Sequence, residues 1–174
     1  MDIDFYRYYA RTVEATIREF QKADLAALKA LVQKTITACY PAHYGVEAVR
    51  FFLDYHSEEA ILQDARKGRT VILDKAGRIL GTGTLVEDEI KRVFVDPTVQ
   101  KQGFGRRIMR QLEEAAARQR VGAVKLDASL PAKVFYDRLG YVTVEPAFLP
   151  VENGQRLDFF KMQKGLTSSD EQDR

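Results

Sequence analysis

Two glycines, Gly103 and Gly105, lie between a strand-like segment that ends at Val95 and a long amphipathic helix pattern. The helix is predicted from apolar residues that recur at helical spacing, namely Ile108, Met109, Leu112, Ala115 and Ala116. The first turn of a helix has unpaired N–H groups and the positive end of the helix dipole, and glycine lets an anion approach them closely. The loop therefore predicts either an anion site or a glycine-rich turn without a ligand, and Gly-x-Gly alone does not decide between them.

The common phosphate-binding loops fit this segment poorly. It lacks the Gly-Lys-[Ser/Thr] ending of a nucleoside triphosphate loop. A dinucleotide-binding loop would have a third glycine where Ile108 stands, and it would open an early βαβ unit rather than follow antiparallel strands. Arg106 and Arg107 nevertheless add positive charge to the first turn of the helix.

Composition limits the remaining possibilities. A chain of 174 residues with 45% hydrophobic content suits one domain. Cys39 is the lone cysteine and two histidines are too few for a zinc cluster, so we expect no metal and a reducing, cytoplasmic setting. The start of the chain does not resemble a secretory signal, and no apolar run reaches the roughly 20 residues of a membrane span. A net charge of +2 argues against a nucleic-acid partner, although arginines cluster from Arg106 to Arg120.

The periodic patterns predict one domain over residues 16–164, with an N-terminal extension (1–15) and a polar tail (165–174) that we expect to be disordered. A first helix is expected to be capped by Asp24, and a second follows the break at Tyr40-Pro41. The predicted strands cover residues 16–20, 70–74, 79–86, 90–95, 123–127, 141–145 and 157–162, and helices are also expected after Gly105 and over residues 131–139. This order predicts an α/β (mixed α+β) fold, with a central mixed, mostly antiparallel sheet of about seven strands and helices on both faces.

The surroundings of the glycine loop make its interpretation more specific. The segment from Val93 through Pro97 to Ile108 resembles the acyl-CoA-binding motif of the GNAT superfamily of N-acetyltransferases. That motif is a strand, a proline and then [Gln/Arg]-x-x-Gly-x-[Gly/Ala] at the start of a helix, and Gln100, Gly103 and Gly105 occupy its positions. Phe104 stands where the family usually has isoleucine or leucine, a difference that should alter only packing.

A second segment, from Asp127 to Tyr141, is similar to a later motif of the same family, commonly Asn-x-x-Ala-x-x-Phe-Tyr-x-x-x-Gly-Phe. Ser129 replaces the common asparagine, which affects one polar contact to the cofactor. The order of elements from Thr16 to Met162 also agrees with the family. The resemblance therefore covers most of the chain and implies a single GNAT-like domain.

The resemblance implies how acetyl-CoA would be bound. The strand before the loop is expected to splay from its neighbour, so that the backbone of Val93, Phe94 and Val95 pairs with the pantetheine arm. Ser129 and Lys133 would reach the cofactor from the other side. The loop and the helix start would surround the pyrophosphate, through Gln100, Lys101, Gln102, Gly103, Phe104, Gly105 and Arg106.

The implied reaction is the direct attack of an amine on the thioester, which needs a base for the ammonium and an acid for the leaving thiolate. Tyr136 matches the family tyrosine near the cofactor sulfur and is assigned as the general acid, since a neutral phenol can donate at pH 7. Periodicity alone would make it a core aromatic. Glu89 is the candidate base, with Glu87 and Asp88 as close rivals, and all three could be solvated turn residues. His56 is another possible proton acceptor.

The acceptor pocket is expected between the first two helices. The residues that could line it are Cys39, Tyr40, His43, Tyr44, Tyr55 and His56. We expect an acetyl-CoA-dependent N-acetyltransferase whose acceptor is unknown, with a small-molecule amine favoured over a protein lysine or N-terminus. A non-catalytic acyl-CoA-binding or sensing module on the same fold is the alternative. We expect no membrane partner, and the chain could be a monomer or a homodimer.

Overall fold

A computed structural model describes residues 14–166. The extension up to residue 13 lies outside the described residues. So do residues 167–174 of the tail that is predicted to be disordered. The strands are β1 (Thr16–Glu19), β2 (Arg69–Lys75), β3 (Arg78–Val86), β4 (Glu89–Val95), β5 (Ala123–Ser129), β6 (Val142–Pro150) and β7 (Arg156–Gly165). The α-helices are α1 (Leu25–Cys39), α2 (Val46–Tyr55), α3 (Glu58–Lys67), α4 (Phe104–Arg118) and α5 (Lys133–Asp137).

The seven strands form one sheet in the order β1-β2-β3-β4-β5-β7-β6. Every neighbouring pair is antiparallel except β4 and β5, which run parallel. The predicted mixed, mostly antiparallel sheet of about seven strands is therefore confirmed. Within residues 14–166, the parallel pair of β4 and β5 lies at the centre of the sheet.

Helices cover both faces of the sheet, as predicted. On β2, Val71 and Leu73 pack in the core that includes α4, whereas Ile72 packs in the core formed with α1, α2 and α3. Successive side chains of a strand point to opposite faces, so a strand covered on both faces is apolar throughout its length. In β3, a Cβ on Gly83 would stand 2.7 Å from Cγ2 of Ile108, which shows how closely α4 packs on the sheet.

The structure corrects several predicted boundaries. Three α-helices, rather than two, separate β1 from β2, because the segment near Ile61 forms a full helix. Asp24 does not cap α1 with its side chain; its carboxylate instead pairs with Arg18 at 2.7 Å and accepts a hydrogen bond from the Gln21 N–H. The predicted strand 16–20 ends at Glu19.

The C-terminal half differs from the prediction mainly in element lengths. Residues 131–139 form a short 3₁₀ turn (Leu130–Ala132) followed by α5, not one helix. The sixth strand continues to Pro150 instead of ending at Glu145. The last strand runs to Gly165 and the Leu166 N–H donates to the Gly122 carbonyl, so ordered structure passes the expected boundary at 164. Within residues 14–166, no helix is long and apolar enough to cross a membrane.

Candidate active site

The central parallel strands, β4 and β5, are paired only at their beginnings. Their register has one pair, Glu89 opposite Lys125, supported by a hydrogen bond of 2.8 Å from the Lys125 N–H to the Asp88 carbonyl. Beyond this point β4 stays paired with β3 and β5 stays paired with β7. The sheet therefore opens between the later halves of the two strands, and this is the splay that the family resemblance implies.

A β-bulge in β4 accompanies this opening. Thr82 faces Phe94 and Thr84 faces Lys91, so β4 contains one more residue than β3 between these pairs. Arg92 lies within that interval and has a φ of 55° in the left-handed region. Because a bulge bends its strand and redirects side chains, it accounts both for the departure of β4 from β5 and for the inward, buried position of Arg92.

The glycine loop lies at one end of the opening. Gly103 has a φ of 85° and directly precedes the first residue of α4, and a Cβ there would meet nothing within 4 Å. A side chain at position 103 would thus point into open space at the start of the helix. The Gln100 side chain folds back, and its Nε2 donates to the Val95 carbonyl at 3.0 Å. Lys101, Gln102 and Arg106 are exposed around the same turn.

Asp96 fixes the turn that connects β4 to this loop. Burial acts to raise the pKa of its carboxyl, but hydrogen bonds from Thr98 and ion pairs with Lys34 and Arg78 outweigh that effect and hold the pKa well below its usual range. The carboxylate also accepts the Thr98 N–H at 2.9 Å. A buried, fully paired aspartate therefore anchors the loop, a role that the Asp96-Pro97 pattern did not reveal.

The opposite wall of the opening consists of the end of β5, the following turn and α5. Tyr44 positions this wall, because its hydroxyl accepts the Leu130 N–H at 2.7 Å and donates to the Asp158 carbonyl at 2.8 Å. Ser129 is buried beside the cavity described next. The Lys133 ammonium is bound by the Asp137 carboxylate at 2.8 Å.

A cavity of about 180 Å³ lies between α2, β4, β5 and α5. Aromatic and aliphatic side chains form most of its wall, including Tyr40, Phe51, Phe52, Tyr55, Leu149, Leu157 and Phe159. Its polar and charged residues are Glu89, Lys91, Arg92, Asp127, Ser129, His56 and Tyr136. Two of the residues predicted to be catalytic, Glu89 and Tyr136, are therefore brought together. Of the predicted pocket residues, Tyr40, Tyr55 and His56 line the cavity, while Cys39, His43 and Tyr44 do not.

The Tyr136 side chain is buried between two aromatic neighbours, with ring centroids 5.0 Å from Phe135 and 5.7 Å from Tyr141. Burial, with a smaller contribution from Tyr40, raises the pKa of Tyr136 well above its usual range. The phenol therefore keeps its proton at neutral pH. It can serve as a donor in the cavity and not as a base.

Glu89 is the member of its acidic turn that reaches the cavity. Glu87 is exposed and lies outside the cavity wall, and Asp88 is held by Lys125 at 2.6 Å. The Glu89 carboxylate lies 3.3 Å from the Lys91 ammonium. Asp127 joins it from β5, and burial together with the charge of Glu89 raises the pKa of Asp127. Sequence reasoning missed Asp127 as a cavity carboxylate, because it depends on the parallel alignment of β4 with β5.

His56 lies at the end of α2 with 7% of its surface exposed. Its Nδ1 accepts a hydrogen bond of 3.2 Å from Arg92 Nε, and the Arg92 guanidinium pairs with Asp64 at 2.9 Å. Burial lowers the pKa of His56 to about 3, assisted by the charges of Arg92 and Lys91. A pKa this low makes the imidazole a very weak base, and its free lone pair, on Nδ1, already accepts the Arg92 hydrogen bond; both facts argue against the predicted alternative that His56 accepts the amine proton.

Comparison with known proteins agrees with this architecture. The model of the family described as Acetyltransferase (GNAT) domain matches residues 40–166. The chain therefore belongs to the GNAT acetyltransferase family. It is 24% identical over 129 residues to the uncharacterized N-acetyltransferase YafP of Escherichia coli K12, covering 74% of this chain and 82% of that protein.

Solved structures show the same fold. A GCN5-related N-acetyltransferase from Rhodopseudomonas palustris superposes with a TM-score of 0.80 at 22% identity, covering 89% of this chain and 98% of the other. The protein yncA of Salmonella typhimurium, whose structure contains its cofactor acetyl-CoA, has a TM-score of 0.64 at 21% identity, with 88% and 95% of the two chains covered.

Proposed function

We propose that this protein transfers an acetyl group from acetyl-CoA to the primary amine of a small molecule. The observation that carries the proposal is the opening between β4 and β5, which has a helix N-terminus at one end and a cavity with Glu89, Asp127 and Tyr136 at the other. An elongated ligand lying along this opening would reach both the N–H groups at the helix start and the proton-transfer groups of the cavity. Membership of the GNAT family and the acetyl-CoA in the yncA structure support the choice of donor.

The residues of the opening suit the parts of acetyl-CoA. The edge of β4 at Val93, Phe94 and Val95 is not paired with β5, so its backbone groups on that side could bind the amide-rich arm, although the Val95 carbonyl already accepts a hydrogen bond from Gln100. The N–H groups of residues 101–106 would hold the pyrophosphate, where the dipole of α4 favours negative charge. Ser129 would contact the arm from the other wall. Lys133 would have to leave Asp137 to reach a phosphate.

Acetyl-CoA would supply a thioester that is activated for acyl transfer. Tyr136 would donate its proton to the departing thiolate, because burial keeps the phenol protonated at neutral pH, and the second proton that the amine nitrogen loses as the amide forms would restore the phenol. Glu89 would receive a proton from the acceptor ammonium, directly or through water. Asp127 would add negative charge next to Glu89 and help to bind the cationic form of the acceptor.

The size of the cavity favours a small acceptor. A volume of about 180 Å³ enclosed largely by aromatic side chains suits an amine with a short body better than a protein surface. Glu89 and Asp127 lie in the same cavity as Lys91 and Arg92, and Arg92 is paired with Asp64, so the two carboxylates would still attract a cation.

Donor binding is tested with two matched glycine substitutions. Gly103→Ala and Gly77→Ala each place a Cβ at positive φ, 85° and 78° respectively, with no neighbour within 4 Å. Both should lose roughly 1 kcal/mol of stability from backbone strain. Calorimetric titration should show that only Gly103→Ala weakens acetyl-CoA binding, by tenfold or more, since its Cβ would occupy the anion site. Equal affinity in the two variants would contradict the proposed donor site.

Turnover is tested separately by following thiol release from acetyl-CoA across a panel of primary amines, amino acid amides, polyamines and peptides. Release with at least one amine, lost in Tyr136→Phe, is the expected result. Tight acetyl-CoA binding without release from any acceptor would instead favour the sensing module.

A further inference from the structure

His56 lines the cavity in a fixed orientation, and it has no role in the proton transfers proposed above. His56 is one of the cavity-lining residues, yet 93% of its surface is removed from solvent, since only 7% is exposed. Its Nδ1 accepts the Arg92 Nε–H at 3.2 Å. A neutral imidazole carries one proton, so the acceptor role of Nδ1 places that proton on Nε2.

The neighbours of His56 prevent its imidazole ring from rotating. Arg92 is itself held by Asp64 at 2.9 Å, and the side chain of Arg92 is only 2% exposed. The ring also packs edge-on against Phe94 and Tyr55, with centroid distances of 5.1 Å in both cases. Rotation of the ring would break the hydrogen bond to a buried cation, which is costly. His56 is thus a rigid donor.

Among residues 14–166, the side-chain hydrogen bonds of His56 include none from Nε2. This nitrogen is not among the fully buried polar atoms that lack a partner, so its N–H is accessible from the cavity that His56 lines and can donate to a ligand group that accepts a hydrogen bond. The wall of the same cavity includes the aromatic residues Phe51, Tyr55 and Phe159, and Glu89 and Asp127 supply negative charge. Lys91 and Arg92 also line the cavity, and their charges are paired with Glu89 and Asp64.

We infer that His56 is a specificity-determining residue, whose Nε2–H donates to an uncharged carbonyl or hydroxyl oxygen on an acceptor that also carries an aromatic or bulky apolar body. This inference rests on the proposed function. It selects, from all primary amines, compounds that combine an ammonium group, an apolar body and a neutral hydrogen-bond acceptor, such as aromatic amino acid amides. The ammonium faces Glu89 and Asp127, and the oxygen faces His56.

Substitution of His56 by Asn or by Gln distinguishes its two hydrogen bonds, the one at Nδ1 and the one proposed at Nε2. The amide of Asn is attached at the same distance from the backbone as Nδ1, so His56→Asn can retain the contact with Arg92 while losing the cavity donor. The amide of Gln reaches the position of Nε2, so His56→Gln can retain the cavity donor while weakening the contact with Arg92. A purely structural histidine would tolerate Asn better than Gln.

The test measures kcat/KM for phenylalanine amide and for 2-phenylethylamine, which lacks the carbonyl. Comparing each amine with itself across variants removes differences in intrinsic reactivity. His56→Asn should lower kcat/KM for phenylalanine amide roughly three- to tenfold, the value of one hydrogen bond, and leave 2-phenylethylamine within about twofold. His56→Gln should preserve most of the wild-type ratio of kcat/KM between phenylalanine amide and 2-phenylethylamine. Two results would overturn the inference. One is an equal loss of kcat/KM for both amines in His56→Asn; the other is a preference for phenylalanine amide that His56→Asn keeps and His56→Gln loses.

Failure of this inference is distinguishable from failure of the proposed function. If other amines of the panel release thiol but neither aromatic probe does, the enzyme assignment stands and the specificity inference fails. If no amine is acetylated, the thermal shift of the CoA-saturated protein decides. Phenylalanine amide should then stabilise the wild type and His56→Gln more than His56→Asn, and equal shifts in the three proteins would overturn the inference.

Discussion

The ring of Phe135 lies directly against Gly105, so that a Cβ on this glycine would stand 3.0 Å from the Cζ atom of Phe135. The two residues come from the two separate segments that resemble family motifs. Their contact joins the first turn of α4 to α5, and so connects the glycine loop to the wall that contains Tyr136. Gly105 is therefore required for packing, whereas Gly103 is required for backbone conformation.

This contact predicts a graded response to substitution at position 105. Gly105→Ala should be nearly neutral, because a gain in helix propensity of up to about 1 kcal/mol offsets a tight contact. Gly105→Val should lose about 1–3 kcal/mol through overpacking, as measured by urea denaturation. Gly122→Val is the control, since a Cβ at Gly122 meets nothing within 4 Å. If Gly105→Val costs as much stability in a Phe135→Ala background as in the wild type, the loss does not come from this contact and the account is contradicted.

Tyr136→Phe should lower kcat by about a hundredfold or more, because it removes the proton donor for the leaving thiolate. Acetyl-CoA affinity should change little. Tyr141→Phe provides the matched control, since it removes a hydroxyl from the adjacent buried ring that donates to Glu113 at 2.9 Å. The control should lose about 1–2 kcal/mol of stability and keep its kcat. An unchanged kcat in Tyr136→Phe would remove the assignment.

Glu89→Gln should abolish the decline of the rate at acidic pH that arises from protonation of the general base. The pH dependence of kcat/KM for the acceptor amine measures this effect. Glu87→Gln removes a neighbouring carboxylate that lies outside the cavity, and its profile should match that of the wild type. Identical profiles for Glu89→Gln and the wild type would show that another group is the base.

Asp127→Asn should stabilise the protein at neutral pH. Burial and the charge of Glu89 raise the pKa of Asp127 above its ordinary value of 3.8, so the ionised form is less favourable in the folded chain than in the unfolded chain. The stability advantage of the variant should be present at pH 7 and disappear below about pH 3.8, where both states bind the proton. Chemical denaturation at both pH values checks this, and a variant less stable than the wild type at pH 7 would contradict it.

His56 should make the wild type less stable as the pH falls from about 6.5 towards 3. Burial and the charges of Arg92 and Lys91 lower its pKa to about 3, so the unfolded chain binds a proton that the folded chain rejects. The slope from this one group is at most about 1.4 kcal/mol per pH unit. His56→Asn should flatten the dependence in that window, whereas His43→Gln, at the exposed histidine, should not. An unaltered slope in His56→Asn would show that the imidazole is not held neutral.

Much of the fold could be predicted because local patterns agree with it. β2 has the apolar run Val71 to Leu73 and is joined to β3 by a turn in which Gly77 adopts a φ of 78°, and α4 shows clear helical spacing after Gly105. In contrast, β6 was predicted too short. Nearly all of its residues are exposed, so it lacks the alternation that identifies a half-buried strand.

The site residues that belong to sequence motifs could be predicted, whereas those brought to the site by packing between distant elements could not. Tyr136 and Glu89 were singled out from their segments and do line the cavity. The bulge that turns Arg92 inward leaves no mark in the sequence, because it depends on the register between β3 and β4. The network of His56, Arg92 and Asp64 joins three elements distant in sequence, and no local pattern indicates it.

The most direct test of the central claim is acetyl transfer itself. The protein is incubated with acetyl-CoA carrying a deuterated acetyl group and the amine panel, and the products are analysed by mass spectrometry. We predict that the label appears as an amide on a small primary amine with the wild type, and at a greatly reduced rate with Tyr136→Phe. Intact labelled acetyl-CoA bound to the protein, with no labelled amide from any acceptor, would contradict the assignment as an acetyltransferase.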